Sequence, residues 1–373
     1  MEKLNKREFL KNIAILSGFS ICPAALKLFS KTNSTELWKW SREAMFYTKK
    51  EKSIYCDLCP NQCIIYENKK GTCKNRINTK NKLYTIAYGN PCAVHIDPIE
   101  KKPFFHFLVS SKSFSIATAG CNFTCLNCQN WSISQFSPEE TRNQDLMPAQ
   151  VVESAINSGC KSIAYTYSEP VVFYEYMFDT AKLAHKKGIK NVIVSNGYIN
   201  EKPLKELCKY IDAATIDLKG FTEDVYKRLN GGSLAPVLNA LKIYRNQGVW
   251  LEISNLIVPN WSDDTNMIKN MCKWLADNKF HDTPLHFLRF SPMYKLVNLP
   301  PTPLSTLLNA RQIASDYGLK YVYIGNAPGS NAENTICPNC KKIVIERKGF
   351  YVTNYNIDNG KCKYCGEKIA GVW

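Results

Sequence analysis

The stretch Ala119-Gly120-Cys121-Asn122-Phe123-Thr124-Cys125-Leu126-Asn127-Cys128-Gln129-Asn130-Trp131 places three cysteines at i, i+4 and i+7. That spacing alone would suit one face of a helix. The company argues otherwise: a glycine precedes the first cysteine, and Asn122, Asn127, Gln129 and Asn130 crowd the rest. Such residues favour a loop. Thiolates are soft ligands, suited to iron–sulfur clusters and to zinc. Three of them are one short of closing a four-iron cube, and an open metal position is where chemistry takes place.

Outward from this loop the chain alternates β-branched apolar runs with amphipathic ones. The runs 114–118, 162–167, 192–195, 214–218, 250–256, 285–290 and 321–324 read as strands. The stretches 148–157, 172–187, 202–210, 234–247, 264–278 and 304–317 read as helices, with Gly159, Gly188, Gly248 and Gly318 where helices should stop. Strand–helix alternation predicts an α/β fold with a parallel sheet, doubly wound or a partial barrel. The unusual residues decide for the barrel, because nearly all of them follow directly after a strand. The cysteine loop follows the first strand, Tyr167-Ser168-Glu169-Pro170 the second and Ser195-Asn196-Gly197 the third; Asp217 and Lys219 follow the fourth and Arg289 the sixth. The rim where strands end is where such a barrel builds one site. The expected fold is therefore a partial (β/α)6-type TIM barrel, with Arg289 facing the pocket.

Here the residues carry a resemblance. C-x-x-x-C-x-x-C, as Cys121, Cys125 and Cys128, resembles the cluster motif of radical S-adenosylmethionine (SAM) enzymes. The resemblance implies a [4Fe–4S] cluster whose open iron is chelated by SAM, one-electron cleavage of the sulfonium, and a 5′-deoxyadenosyl radical. In that family the residue before the third cysteine is usually aromatic; here it is Asn127. Tyr165 to Pro170 is similar to the loop that grips the cofactor's amino group, a role that falls to Ser168 and Glu169. Ser195, Asn196, Asp217 and Lys219 resemble positions lining ribose and carboxylate in pyruvate formate-lyase activating enzymes. The match is closer still to the AmmeMemoRadiSam radical enzyme family. Cys56-x-x-Cys59-Pro60, Asp97-Pro98-Ile99-Glu100-Lys101-Lys102-Pro103, Cys121 to Gln135, Arg289-Phe290-Ser291-Pro292, Tyr323 to Gly329 and the terminal Gly371-Val372-Trp373 carry it. It implies a low-potential electron donor of flavodoxin or ferredoxin type, and it leaves the substrate open. That substrate is a protein glycine in an activase-like reaction, or RNA or a small molecule. A zinc-ribbon adaptor without catalysis is the reading from a different class.

Sixteen cysteines are many for a chain of 373 residues. Besides the central trio, Cys56, Cys59, Cys63 and Cys73 form a group that suits structural zinc or a second cluster. Cys337, Cys340, Cys362 and Cys365 make two knuckles with zinc-ribbon spacing. Cys22, Cys92, Cys160, Cys208 and Cys272 read as small buried hydrophobes, and His106, among aromatics, as a packed core residue. The net charge of +16 permits contact with nucleic acid, but the lysines are spread rather than blocked, as on a solvated surface. Residues 1–35 join Lys3, Lys6, Arg7 and Lys11 to an apolar run, 13–25, that is short for a membrane span. That pattern resembles a twin-arginine export signal with lysine for the first arginine, or a tether; cofactor supply argues for the cytoplasm, and no integral membrane domain is expected. The expected division is 1–35 signal-like, 36–108 a four-cysteine segment, 109–330 the barrel and 331–373 the ribbon-like tail.

Overall fold

A computed structural model describes residues 37–373. The signal-like segment and Cys22 lie outside the described residues. Eight strands form one sheet: β1 (Ala93–Pro98), β2 (Lys112–Ala117), β3 (Ser162–Tyr165), β4 (Lys190–Ser195), β5 (Ala213–Asp217), β6 (Trp250–Ile257), β7 (Leu285–Arg289) and β8 (Val322–Gly325). They lie side by side in chain order, and β2 to β8 are all parallel. Parallel neighbours need crossovers, and helices supply them: α1 (Pro148–Asn157), α2 (Tyr174–Lys186), α3 (Glu201–Cys208), α4 (Leu234–Asn246), α5 (Thr265–Asp277) and α6 (Leu304–Asp316). Local sequence starts them as expected. Pro148 sits at the first position of α1, and Asp264 caps α5 by accepting from the Met267 amide at 2.7 Å.

The sheet differs from the expectation at one edge. β1 runs antiparallel to β2, and it does not pair with β8, so the barrel is open. The seven expected strands and the six helices between them are all present, which makes six β/α units and a seventh parallel strand; only the antiparallel edge is unexpected. β1 escapes pattern reading because His95 and Ile96 are exposed and the strand ends in Asp97-Pro98.

The four-cysteine segment is built from short antiparallel strands, Tyr47–Lys49 with Ser53–Cys56 and Ile64–Tyr66. It has no core of its own. Ile54, Leu58, Ile65 and Leu83 are buried in the same cluster as Val171, Phe173 and Tyr174. The tail forms a separate cluster shared with the sheet: Val344, Ile345, Ile357 and Ile369 pack with Phe105, Tyr321 and Tyr323. Its last residues pair with the segment after β1, through Val372 N to His106 O and Leu108 N to Val372 O, both 2.8 Å. Cys160, Cys208 and Cys272 are buried and Cys92 is half-buried. His106 is fully buried, its ring nitrogens 2.5 Å from Ala370 O and from the Tyr323 hydroxyl. Among the described residues no helix is long and apolar enough to cross a membrane.

Candidate active site

The loop after β2 is held from several sides. The Asn230 and Leu229 carbonyls accept from the amides of Thr124 (2.8 Å) and Leu126 (2.9 Å). Asn122 and Asn196 lock together: the Asn196 amide donates to Asn122 Oδ1 at 2.8 Å, and Asn122 donates to Tyr198 O at 2.8 Å. Gly120, at φ +101°, admits no side chain, because a Cβ there would stand 2.3 Å from Asn75 Oδ1. Gly232 matters in the same way, since a Cβ would meet the Phe123 ring at 2.2 Å. Sequence reading passed over Gly232; only the packing against Phe123 reveals it.

The loop ends at a cleft of about 490 Å³. Cys121, Cys125 and Cys128 line it, with no fourth thiol among the lining residues. Burial pushes all three thiols up; Glu169 adds to the effect at Cys121, and Lys219 opposes it at Cys125. Such thiols stay protonated at neutral pH until a metal displaces the proton. Asn230 Nδ2 lies 3.3 Å from the Cys125 sulfur and the Phe123 amide 3.3 Å from that of Cys121, so donors already face the sulfurs.

Ser168, Glu169, Ser195, Asn196, Asp217 and Lys219 line the same cleft. Glu169 is buried, and its carboxylate accepts from Ser195 Oγ (2.7 Å), Val171 N (3.0 Å) and Asn196 N (2.9 Å). Burial pushes its pKa up to about 7 against those donors. Glu169 therefore ties the loop after β3 to the loop after β4. Ser168 Oγ donates to Thr118 O at 2.6 Å. Lys219 Nζ is 2.9 Å from Asp217, which also accepts from Ser254. Burial opposes the Lys219 charge, but Asp217 outweighs it and raises its pKa. Asn127, buried, also lines the cleft.

Three residues depart from expectation. Arg289 does not line the cleft: its Nε donates to Thr302 O at 2.9 Å, which turns the guanidinium toward the chain after β7. Conversely, Lys101 and Lys102 do line it. Asp97 holds both, at 2.7 and 2.6 Å, and accepts from the Tyr167 hydroxyl. Burial lowers the Lys102 pKa to about 8, with Asp97 opposing. The motif 97–103 was visible in the sequence, but only the antiparallel turn at β1 brings it under the cleft.

The radical SAM superfamily profile matches residues 115–272, which span the trio and every strand end from β2 to β6. The chain carries a domain of the radical SAM superfamily. It is an enzyme of that class, and the adaptor reading falls. A protein of Methanocaldococcus jannaschii that is itself uncharacterised is 48% identical over 331 residues, covering 88% of this chain and 98% of the relative. Pyruvate formate-lyase 1-activating enzyme of Escherichia coli K12 is 24% identical over 220 residues, covering 55% of this chain and 89% of that enzyme. The pyruvate formate-lyase-activating enzyme of Staphylococcus aureus USA300 is 28% identical over 196 residues, 47% of this chain and 75% of its own length.

The family implies a [4Fe–4S] cluster and SAM, and the donor set fits them. Three soft ligands on one loop leave an open corner. An anionic carboxylate and an ammonium group need a cation and an anion nearby, and Lys219 and Glu169 face the same cleft.

At the far end of the chain Cys337, Cys340, Cys362 and Cys365 come together with all four sulfurs within 4.8 Å of one another.

Proposed function

We propose that the enzyme cleaves SAM reductively and uses the resulting radical to take a hydrogen atom from a protein partner, in the manner of a glycyl-radical activase of the AmmeMemoRadiSam type. The observation that carries it is three thiols, Cys125 buried and Cys121 and Cys128 half-buried, without a fourth, opening on a cleft whose other walls include Glu169, Asn196, Asp217 and Lys219. When bound, the cluster and SAM supply one electron and a carbon radical. The chain's own residues do the rest. Cys121, Cys125 and Cys128 give up protons and hold iron. Lys219, kept charged by Asp217, meets the methionyl carboxylate. Ser168 and Glu169 meet the amino group, and Ser195 and Asn196 the ribose. The buried walls keep water and oxygen from the radical. A low-potential donor of flavodoxin or ferredoxin type supplies the electron, and the cytoplasm, where such donors are made, is the compartment that suits it. The tail knuckles hold zinc as a structural brace.

The activase reading draws on the likeness to the two activating enzymes. A second reading, modification of RNA or another anionic substrate, draws on Lys101 and Lys102 at the wall of the cleft, two lysines against one Asp97. Electron paramagnetic resonance separates them. A carbon-radical signal that requires the protein partner, SAM and reductant together supports the activase. Turnover with RNA, binding that weakens steeply with salt and no radical on any protein would replace it with the second.

A further inference from the structure

Four thiols stand apart from the cleft. Cys56 ends a strand, Cys59 and Cys63 follow in the turn, and Cys73 returns from the next loop. They line one small void with Arg76, Val171 and Val172. The buried Arg76 guanidinium lies 3.7 Å from the Cys56 sulfur, a fixed cation beside the cage.

The cage differs from the one in the tail. There the Cys337–Cys365 and Cys340–Cys362 sulfurs lie 3.6 and 3.7 Å apart, and all four fall within 4.8 Å. Four thiolates each about 2.3 Å from one tetrahedral ion must crowd in that way. Among the described residues, no three of Cys56, Cys59, Cys63 and Cys73 gather so closely, and neither do Cys121, Cys125 and Cys128. Among the described residues there is thus one tight cage, and in each of the other two groups at least one pair of sulfurs stands more than 4.8 Å apart. A single ion does not reach four sulfurs set wide, whereas a cube takes one thiolate at each iron and holds them apart.

We propose that Cys56, Cys59, Cys63 and Cys73 ligate a second [4Fe–4S] cluster, closed by four thiolates, that passes electrons to the cluster at Cys121, Cys125 and Cys128. The ligand set stands on its own geometry; the electron-passing role rests on the reading of the central trio given above. Full thiolate ligation leaves no iron open for substrate, and the four cysteines do not line the catalytic cleft. The two loops touch. Asn61 Nδ2 donates to Asn122 O at 2.8 Å, Asn75 Nδ2 donates to Ala119 O at 2.7 Å, and a Cβ on Gly120 would lie 2.7 Å from Cys73 O. A low-potential one-electron donor protein reduces the outer cluster and is left oxidised by one electron. The outer cluster then hands that electron inward, and no bond forms or breaks at either step.

The test uses the full-length chain reconstituted anaerobically with iron and sulfide. A Cys121→Ala, Cys125→Ala, Cys128→Ala variant should keep about half of the iron and acid-labile sulfide of the unaltered chain. After dithionite it should show a cluster signal that ignores SAM. Zinc in place of labile sulfide in that variant overturns the second cluster; full retention of iron and sulfide instead overturns the central one. Should the variant fail to fold, the unaltered chain decides. Two reduced-cluster signals, one of them altered by SAM, uphold the proposal, and one signal alone defeats it. For the role, Cys63→Ser should lose reduction of the central cluster by flavodoxin or ferredoxin yet keep reduction by dithionite. Undiminished reduction by the protein donors would remove the electron path.

Discussion

At the C-terminal ends of the strands, three thiols, Glu169, Asp217 and Lys219 face a cleft of about 490 Å³. At the opposite ends, ionisable groups face one another. Glu252 of β6 accepts from the amides of Phe105 (3.0 Å) and His106 (2.8 Å), and lies 2.7 Å from His286 Nε2. The buried Arg347 of the tail donates to Phe105 O at 2.6 Å and Thr335 Oγ1 at 2.9 Å. Both ends bury charge, but only one leaves room beside it. The lower end spends its polar groups on closing the sheet with the tail, and the upper end keeps donors and acceptors turned to a space. Substitutions below should therefore cost stability, and substitutions above should cost chemistry.

The largest expected effect lies below. Glu252→Ala leaves two buried amides and His286 without their acceptor and should cost about 3–5 kcal/mol. Denaturant unfolding would show it, while cofactor cleavage per folded molecule stays close to normal. Lost turnover at unchanged stability would erase the distinction between the two ends. Above, Lys219→Met should leave the fold and the iron content intact. Loss of a charge-assisted contact of about 1.5–3 kcal/mol would weaken SAM binding roughly ten- to a hundredfold. Equilibrium binding checks it, and unchanged affinity would remove Lys219 from the cofactor site.

The smallest effect sharpens the comparison by pH. Burial lowers the His106 pKa to about 4 from an ordinary value near 6.5. The folded state therefore binds fewer protons than the unfolded chain between those values, and stability rises with pH. It is fully present above about 6.5 and is lost as the pH falls toward 4, by about 1 kcal/mol per unit. Glu169, raised to about 7, tilts stability the other way over the same range, so the His106 contribution is read as a difference: from pH 5 to pH 7 the unaltered chain should gain more in urea midpoint than His106→Phe does.

Much of the upper end was legible. Strand-end residues such as Glu169, Asn196, Asp217 and Lys219 fall after β-branched runs, so periodicity and one topological rule place them on a common rim. The central trio announced itself by spacing. What failed to show depends on contacts between distant segments. Arg289 sits at a strand end like the others, yet the Thr302 carbonyl, thirteen residues on, claims its Nε. Lys101 and Lys102 reach the cleft only because β1 pairs antiparallel at the edge, and no local pattern encodes that. The two four-cysteine groups differ in spacing, Cys56, Cys59, Cys63 and Cys73 in one run against two paired knuckles in the tail, but spacing does not tell how far apart the sulfurs are held, and only the tail's four fall within 4.8 Å of one another among the described residues.

Electron paramagnetic resonance of the anaerobically reconstituted, one-electron-reduced protein, with and without SAM, tests the central claim most directly. The account predicts an iron–sulfur signal that changes shape on adding SAM, and Cys125→Ala should lose both that component and the formation of 5′-deoxyadenosine. Zinc at the trio, or a signal indifferent to SAM with no 5′-deoxyadenosine formed, would contradict it.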